Sequence, residues 1–499
     1  MIWLLLVLLL LSLVYLFQIY NQSYWKRRNV SGPKPRLFVG NLGELLILKK
    51  SLLDIYYEIY NDFKNLPFVG IYRMGTPCLL IRDPELYKCI AVKNFKNFYN
   101  NDVEIDKKVD PIFGKNAFAL RGAEWKATRS TLTPCFTSQK MRVIFPLLDT
   151  IGKRLVKYIN DQIDAGESCL ETKELSTKTT LENVASCAFG LEGQCFDNPN
   201  AEFRQIAQDF LSPGGLQSIK FMLIMMFPAL SRLVSFKFVT KDVEERLTKI
   251  VTDTVEYREK NKIERQDFLH AMNQLRKTHP EFTMADLVAQ ASGFFADGYE
   301  TSSIVMSFLL YELACHPDIQ EKLRSEIQSK VKENGGKVTY EMIQEMEYLD
   351  ACFNENMRKT PIAAILFKAC TAPFSHTYSG EYGEHSVSVE TGTPVIISLK
   401  GMFLDPKYFP QPEKYMPERF LKDSQDPGVV RGIFKPFGDG PRSCLGQKFG
   451  ILQIKVDVIH ILLNFKLSFN SKTKLPLKMD PFYVMPAPIG GLWVNFEKI

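Results

Sequence analysis

The sequence predicts a mainly helical protein with small β-sheets, an α+β chain folded as one large domain behind an N-terminal apolar helix. Three observations predict it. Apolar residues recur with helical periodicity through most of the 499 residues. β-rich runs are few, short and built around turn residues. After residue 36 there is no low-complexity linker, repeat or long charge run to divide the chain. With 45% hydrophobic and 12% aromatic residues, a large core is available. A formal net charge of +6 argues against nucleic acid as a partner, which demands denser cationic contact with phosphate.

Residues 1–22 read as a transmembrane anchor. Ile2 to Tyr20 is nearly all apolar, close to the roughly 20 residues that span a bilayer. A cleaved signal peptide fits less well, because no basic segment precedes the run and the run exceeds a usual signal core. Lys26, Arg27 and Arg28 follow it and place the bulk of the chain in the cytosol by the positive-inside rule. Tyr24 and Trp25 are expected at the membrane interface. Residues 23–36 form a basic, proline-rich linker in which Pro33 and Pro35 stop the helix. Residues 37–499 form the large domain.

Within it, "FVGIYRMGTPCLLIRDPE" reads as a hairpin turning at Gly75-Thr76-Pro77. "HSVSVETGTPVIISL" is a second strand–turn–strand pattern, and "FKLSFN" and "GGLWVNFEK" are late strands. One long helix stands out. Thr283 and Asp286 have capping-box spacing at its start, and Pro317 ends it at His316. It is apolar on nearly every side, which predicts burial. Its middle nevertheless holds Asp297, Gly298, Glu300 and Thr301, and buried acids are costly unless paired or used. Glu355 and Arg358 share a helix face among apolar neighbours, Trp125 and Arg129 lie i,i+4, and Arg419 sits between Pro417 and Phe420. The apolar stretch Ile219–Leu233 is too short and interrupted to span a bilayer; it is expected to dip into the membrane surface.

Ten cysteines are scattered along the chain and never form C-x-x-C, so neither a zinc site nor a local disulfide framework is indicated. Nine are read as small buried hydrophobes. Cys444 differs, because "KPFGDGPRSCLGQKFG" places it in a glycine-, proline- and arginine-rich loop before an apolar helix. The loop fits no phosphate-binding pattern. A cysteine nucleophile needs a positioned base; the six histidines leave that reading open, though no protease signature is present. Structural burial also stays open. Axial ligation of a haem iron by thiolate is the third reading, and the residue types suit it. Gly440 and Gly446 permit tight turns against a flat macrocycle. A helix N-terminus stabilises a thiolate. Phe437 shields the sulfur, and Arg442 has the charge to bind a propionate.

"FGDGPRSCLG" matches the F-x-x-G-x-R-x-C-x-G signature of the cytochrome P450 family at every fixed position. The other motifs follow in that family's order: W-x-x-x-R at Trp125 and Arg129, Gly298-Tyr299-Glu300-Thr301, E-x-x-R at Glu355 and Arg358, and P-x-R-F at Pro417 to Phe420. The chain therefore resembles a cytochrome P450 over its whole length, with the flavour of insect microsomal, detoxification-type members. The resemblance implies the P450 fold and a haem-thiolate monooxygenase with haem b on Cys444. It implies that Thr301, in a kink of the long distal helix, and Glu300 handle protons during oxygen activation, with Asp297 beside them. It implies that Trp125, Arg129 and Arg442 bind the propionates, and that Glu355, Arg358 and Arg419 lock the haem-side fold. The chain departs from the family at three places: Asp297 stands where Ala or Gly is usual, only Pro361 stands where two prolines are common, and Lys368 replaces an arginine that often binds a propionate. Lysine lacks the bidentate fork. Ala363 and Ala364 leave room above the haem.

No flavin or nicotinamide fingerprint is present, so NADPH serves only indirectly. The implied partners are NADPH-cytochrome P450 reductase and cytochrome b5, steered by Lys126, Lys140, Arg142, Lys435 and Lys448. The implied location is the endoplasmic reticulum membrane, with the catalytic domain cytosolic. A lipophilic xenobiotic, such as an insecticide or plant toxin, is the expected substrate. An endogenous hormone or fatty acid, an oxygen-independent haem-thiolate isomerase and a haem sensor remain as alternatives.

Overall fold

A 21-residue run without an acidic or basic residue, Ile2–Gln22, forms the first helix. Its mean hydropathy is 2.7 and none of it is buried, and it is the one helix among the described residues long and apolar enough to cross a membrane. The computed structural model describes residues 2–47, 49–210, 216–227, 237–483 and 485–499.

The residues after this helix are docked rather than loose. Trp25 is 2% exposed, not at the membrane interface as expected. Its indole donates to the Ile71 carbonyl at 3.0 Å, and its backbone N–H donates to the Tyr72 hydroxyl at 3.0 Å. Gly70 makes the seat: a Cβ there would lie 2.5 Å from Trp25 Cγ. The Gly70 N–H in turn donates to the Ser31 carbonyl at 2.9 Å. Tyr24 is half-buried, and its hydroxyl reaches Glu390 at 3.2 Å. We therefore predict different outcomes for two truncations. Deleting residues 1–22 leaves the melting temperature of the remainder near that of the full chain. Deleting 1–28 removes a core Trp and costs about 3–5 kcal/mol. Equal melting temperatures would show that the Trp25 seat contributes nothing.

Strands β1 (Phe68–Arg73), β2 (Thr76–Ile81) and β3 (Asn100–Asn101) precede β4 (Cys169–Glu171). Strands β5 (Ile365–Ala369), β6 (Phe374–Gly380), β7 (Gly383–Val389) and β8 (Pro394–Ser398) follow the long helices, and β9 (Phe465–Phe469) and β10 (Trp493–Lys498) close the chain. They form a five-stranded sheet in the order β1-β2-β8-β5-β3, a three-stranded sheet β4-β10-β9 and the hairpin β6-β7. The expected hairpin at residue 75 is β1-β2, turning on Met74 and Gly75, both at positive φ. The second strand–turn–strand pattern is β7 and β8, but these do not pair: β8 runs parallel to β2 and antiparallel to β5. All five of its residues are buried, which pulls it to the sheet centre.

Helices build the larger core. Ser138–Asp164, Thr172–Val184, Lys241–Asn261 and Gln447–Asn464 pack with the distal helix Met284–Cys315. The distal helix starts at a Thr283–Asp286 capping box and ends at His316. It is helical throughout its 32 residues, without an interruption at Thr301. Helix Leu216–Met226 carries part of the Ile219–Leu233 stretch. Met222 and Met226 are buried against Leu42, Leu52 and Val69, while Leu223 is exposed. Residues 228–236 lie outside the described residues.

Candidate active site

Glycine shapes the cysteine loop. Gly438 and Gly440 have φ of 79° and 72°, and a Cβ on Gly440 would lie 2.1 Å from the Ala91 carbonyl oxygen. The Cys444 N–H donates to the Phe437 carbonyl at 2.9 Å, closing the turn. Cys444 then stands two residues before Gly446, the N-cap of helix Gln447–Asn464. All ten cysteines are free, and Cys444 alone is exposed. It is nevertheless surrounded by protein, and burial pushes its thiol up to about 11. The N–H groups of Gly446 and Gln447 and the Arg129 charge oppose that rise, while the Asp297 charge adds to it. An open sulfur deep in the protein faces an internal void rather than bulk water.

Asp297 has the same character. Its surface is open, yet it is enclosed, and burial raises it to about 6 while the Asn116 amide favours its charged form. Its charge acts on the Cys444 thiol, so the two side chains lie near one another. Thr301, one turn on, is half-buried and donates its hydroxyl to the Asp297 carbonyl at 2.7 Å. This is a hydroxyl bond back to the carbonyl one turn earlier, of the kind that bends a helix without interrupting it. Glu300 does not join this face. It is 3% exposed and accepts from Tyr483 Oη at 2.6 Å and Lys173 Nζ at 3.0 Å. The reason is its partners: the Tyr483 hydroxyl and the Lys173 ammonium occupy its two carboxylate oxygens. Gln453, on the helix after Cys444, donates to the Gly298 carbonyl at 3.1 Å and to Ser302 Oγ at 2.7 Å. It ties the cysteine helix to the distal helix.

Three cations meet at one edge. Lys368 in β5 is 7% exposed, and its ammonium donates to Asn101 Oδ1 at 2.9 Å. Burial, with Arg442 nearby, lowers it to about 7. Burial likewise lowers Arg442 to about 9, with Arg129 and Arg121 adding repulsion. Half-buried Arg129 is also lowered by burial. Among the described residues none of the three has an ion-pair partner. Arg442 stacks 4.1 Å over the Trp125 ring and spends its donors on the carbonyls of Tyr99, Ala117 and Leu120. An unneutralised, half-buried cationic cluster is costly without an anion. Two propionate carboxylates beside a flat macrocycle are the anions it lacks. The donor set thus fits haem: a soft thiolate facing a void, an acid and a hydroxyl nearby, and cations at the rim.

The expected lock is assembled. Arg358 and Glu355 are both fully buried, paired at 2.7 and 2.9 Å. Arg419 reaches Glu355 at 3.3 Å and Asp426 at 2.8 Å. On the cysteine side, Lys126, Arg142, Lys435 and Lys448 are exposed and Lys140 half-buried; Arg142 is paired with Glu341 at 2.8 Å. Asn116, Lys173, Tyr483 and Gln453 gave no signal in the sequence, since each acts only through a partner far along the chain.

A free cysteine in a glycine-shaped loop, with unpaired cations beside it, is the arrangement of the haem-thiolate class of proteins. Comparison with known proteins agrees. The cytochrome P450 family model matches residues 30–492. The chain is 33% identical over 516 residues to cytochrome P450 9e2 of Blattella germanica, covering 97% of this chain and 96% of that protein. It is 35% identical over 486 residues to cytochrome P450 6j1 of Blattella germanica, covering 97% and 95%. It is 33% identical over 497 residues to probable cytochrome P450 6a20 of Drosophila melanogaster, covering 97% of each. The chain belongs to the cytochrome P450 family and is a haem monooxygenase.

Proposed function

We propose that this chain inserts one oxygen atom from O2 into a lipophilic foreign compound, with Cys444 as the haem ligand and electrons drawn from NADPH-cytochrome P450 reductase, with cytochrome b5 as an accessory donor. The observation that carries the reading is the Cys444 sulfur, open to an internal void near Asp297. When bound, haem supplies the iron at which O2 is reduced and cleaved, and a thiolate ligand favours that cleavage. The chain's own residues do the rest. Phe437 shields the sulfur from water. Arg129, Lys368 and Arg442 neutralise the propionates, and Arg442 with Trp125 also pins the loop carrying Ala117 and Leu120. Half-buried Ala363 leaves space for substrate, whereas Ala364 is buried in the core. Glu300 holds the C-terminal loop through Tyr483 and feeds protons only through its Lys173 pair. The Ile2–Gln22 helix anchors the protein in the endoplasmic reticulum membrane, with the catalytic domain cytosolic. The test is the carbon-monoxide spectrum of the reduced protein, followed by reductase- and NADPH-dependent product formation on lipophilic foreign compounds. A protein with the haem-thiolate spectrum that oxidises only fatty acids or steroids would overturn the substrate assignment.

Thr301 is the proton-handling group at the void. Thr301→Ala keeps most of the side-chain volume and removes the hydroxyl. Haem content and the substrate-induced spin shift survive. Product per NADPH falls on the order of tenfold, about 1.4 kcal/mol of lost discrimination, while hydrogen peroxide rises. Product, peroxide and NADPH are measured on one sample, and unchanged coupling would remove Thr301 from this role.

A further inference from the structure

Asp297 is an enclosed acid with open surface. Among the described residues no lysine, arginine or histidine pairs with it, and the neutral Asn116 amide alone supports its charge. Asn116 reaches it because Gly293 has no side chain: a Cβ there would lie 2.1 Å from Asn116 Nδ2. The Asn116 loop is fixed to the same helix at two more points. Gln290 Nε2 donates to the Lys115 carbonyl at 2.5 Å, and Lys115 Nζ reaches Asp286 at 2.9 Å. On its other side the loop is held by Arg442 through the Ala117 and Leu120 carbonyls. A rigidly mounted, enclosed carboxylate with open surface and no counter-charge selects a positively charged organic group.

We propose that Asp297 sets substrate charge: the protein prefers lipophilic compounds that carry an ammonium group, which seats at Asp297. This rests on the reading that the void holds haem on Cys444. A neutral lipophile leaves the carboxylate buried and unpaired, whereas an ammonium group supplies the missing counter-charge. Asn116 holds the carboxylate in place but, being neutral, cannot do so.

The test uses the full-length, haem-loaded protein in vesicles of uncharged phosphatidylcholine. Binding of 4-phenylbutyltrimethylammonium is compared by equilibrium dialysis with that of its carbon isostere, in which tert-butyl replaces trimethylammonium. A quaternary nitrogen neither ligates iron nor loses its charge, so the comparison isolates charge. The cation is expected to bind at least about tenfold more tightly, as an ion pair worth ~1.4 kcal/mol or more would give. In Asp297→Asn the ratio falls to near one. Should the amide disturb haem loading, Asp297→Ala removes the acid without leaving a polar group behind. A wild-type ratio below about tenfold overturns the proposal, as does a ratio that persists in the variant. The two readings fail separately. A wild-type protein without the haem-thiolate carbon-monoxide spectrum defeats the haem assignment. A protein with that spectrum and no preference for the cation defeats only the role of Asp297.

Discussion

Cys444→Ser abolishes the red-shifted carbon-monoxide Soret band of the reduced protein and lowers monooxygenation by at least about 10³-fold, ~4 kcal/mol of barrier. The argument runs from the loop upward. Gly438 and Gly440 at positive φ, with the Cys444 N–H bonded to the Phe437 carbonyl, hold the side chain on the void. Serine is nearly the same size, so the turn, the Gly446 N-cap and the packing of Phe449 behind it survive. What changes is the donor atom. A thiolate is soft and is favoured here by the Gly446 and Gln447 N–H groups and by Arg129. An alcohol is far harder to deprotonate and donates less electron density to iron. Haem content, read as iron per polypeptide, falls less than the spectrum changes, because the rim cations are untouched. An unchanged band position would remove Cys444 as the ligand.

The cysteine loop was readable because its chemistry is local: the turn glycines, the sulfur and the helix start lie within ten residues. The Glu355–Arg358 pair was readable for the same reason, since i,i+3 on a helix guarantees a shared face. Its other partners, the carbonyls of Phe403, Pro412 and Lys414 and the carboxylate of Asp426 beyond Arg419, come from 45 to 71 residues away in sequence, and no spacing in the sequence announces them. Glu300 misled for a physical reason. Its carboxylate is taken by Tyr483 and Lys173, partners far along the chain, and the acid that shares the threonine's face is Asp297, four residues back. Trp25 misled because an aromatic residue beside a basic cluster after an apolar helix fits a membrane interface equally well. Its burial is decided by Gly70, whose missing side chain opens the seat. β8 fits a hairpin with β7 by its turn, but its unbroken run of buried residues places it at the sheet centre.

Arg358→Ala is the variant with the largest expected effect on the fold itself. An exposed pair of this type is worth well under 1 kcal/mol, but here both side chains are fully buried. Arg358 donates twice to Glu355 and also reaches the carbonyls of Phe403 at 2.9 Å, Pro412 at 2.8 Å and Lys414 at 3.2 Å. Removing it strands a buried carboxylate and three acceptors at once. Glu355 then keeps the Met416 N–H at 2.9 Å and Arg419 at 3.3 Å. Arg419 is already committed to Asp426 and to the Gln411 carbonyl, so it cannot swing across to fill the gap. The loss is on the order of 3–5 kcal/mol, a large share of the 5–15 kcal/mol that holds a typical domain together. The expected result is little or no holoprotein in expression and, for any that forms, a sharply lowered melting temperature. Arg358→Lys restores the charge but not the fork that reaches three carbonyls and a carboxylate together, so it recovers only part of the stability. The two variants separate charge from geometry: if lysine rescued fully, the carbonyl contacts would carry no weight, and if alanine melted like the unaltered protein, the buried pair would not be holding the haem-side fold.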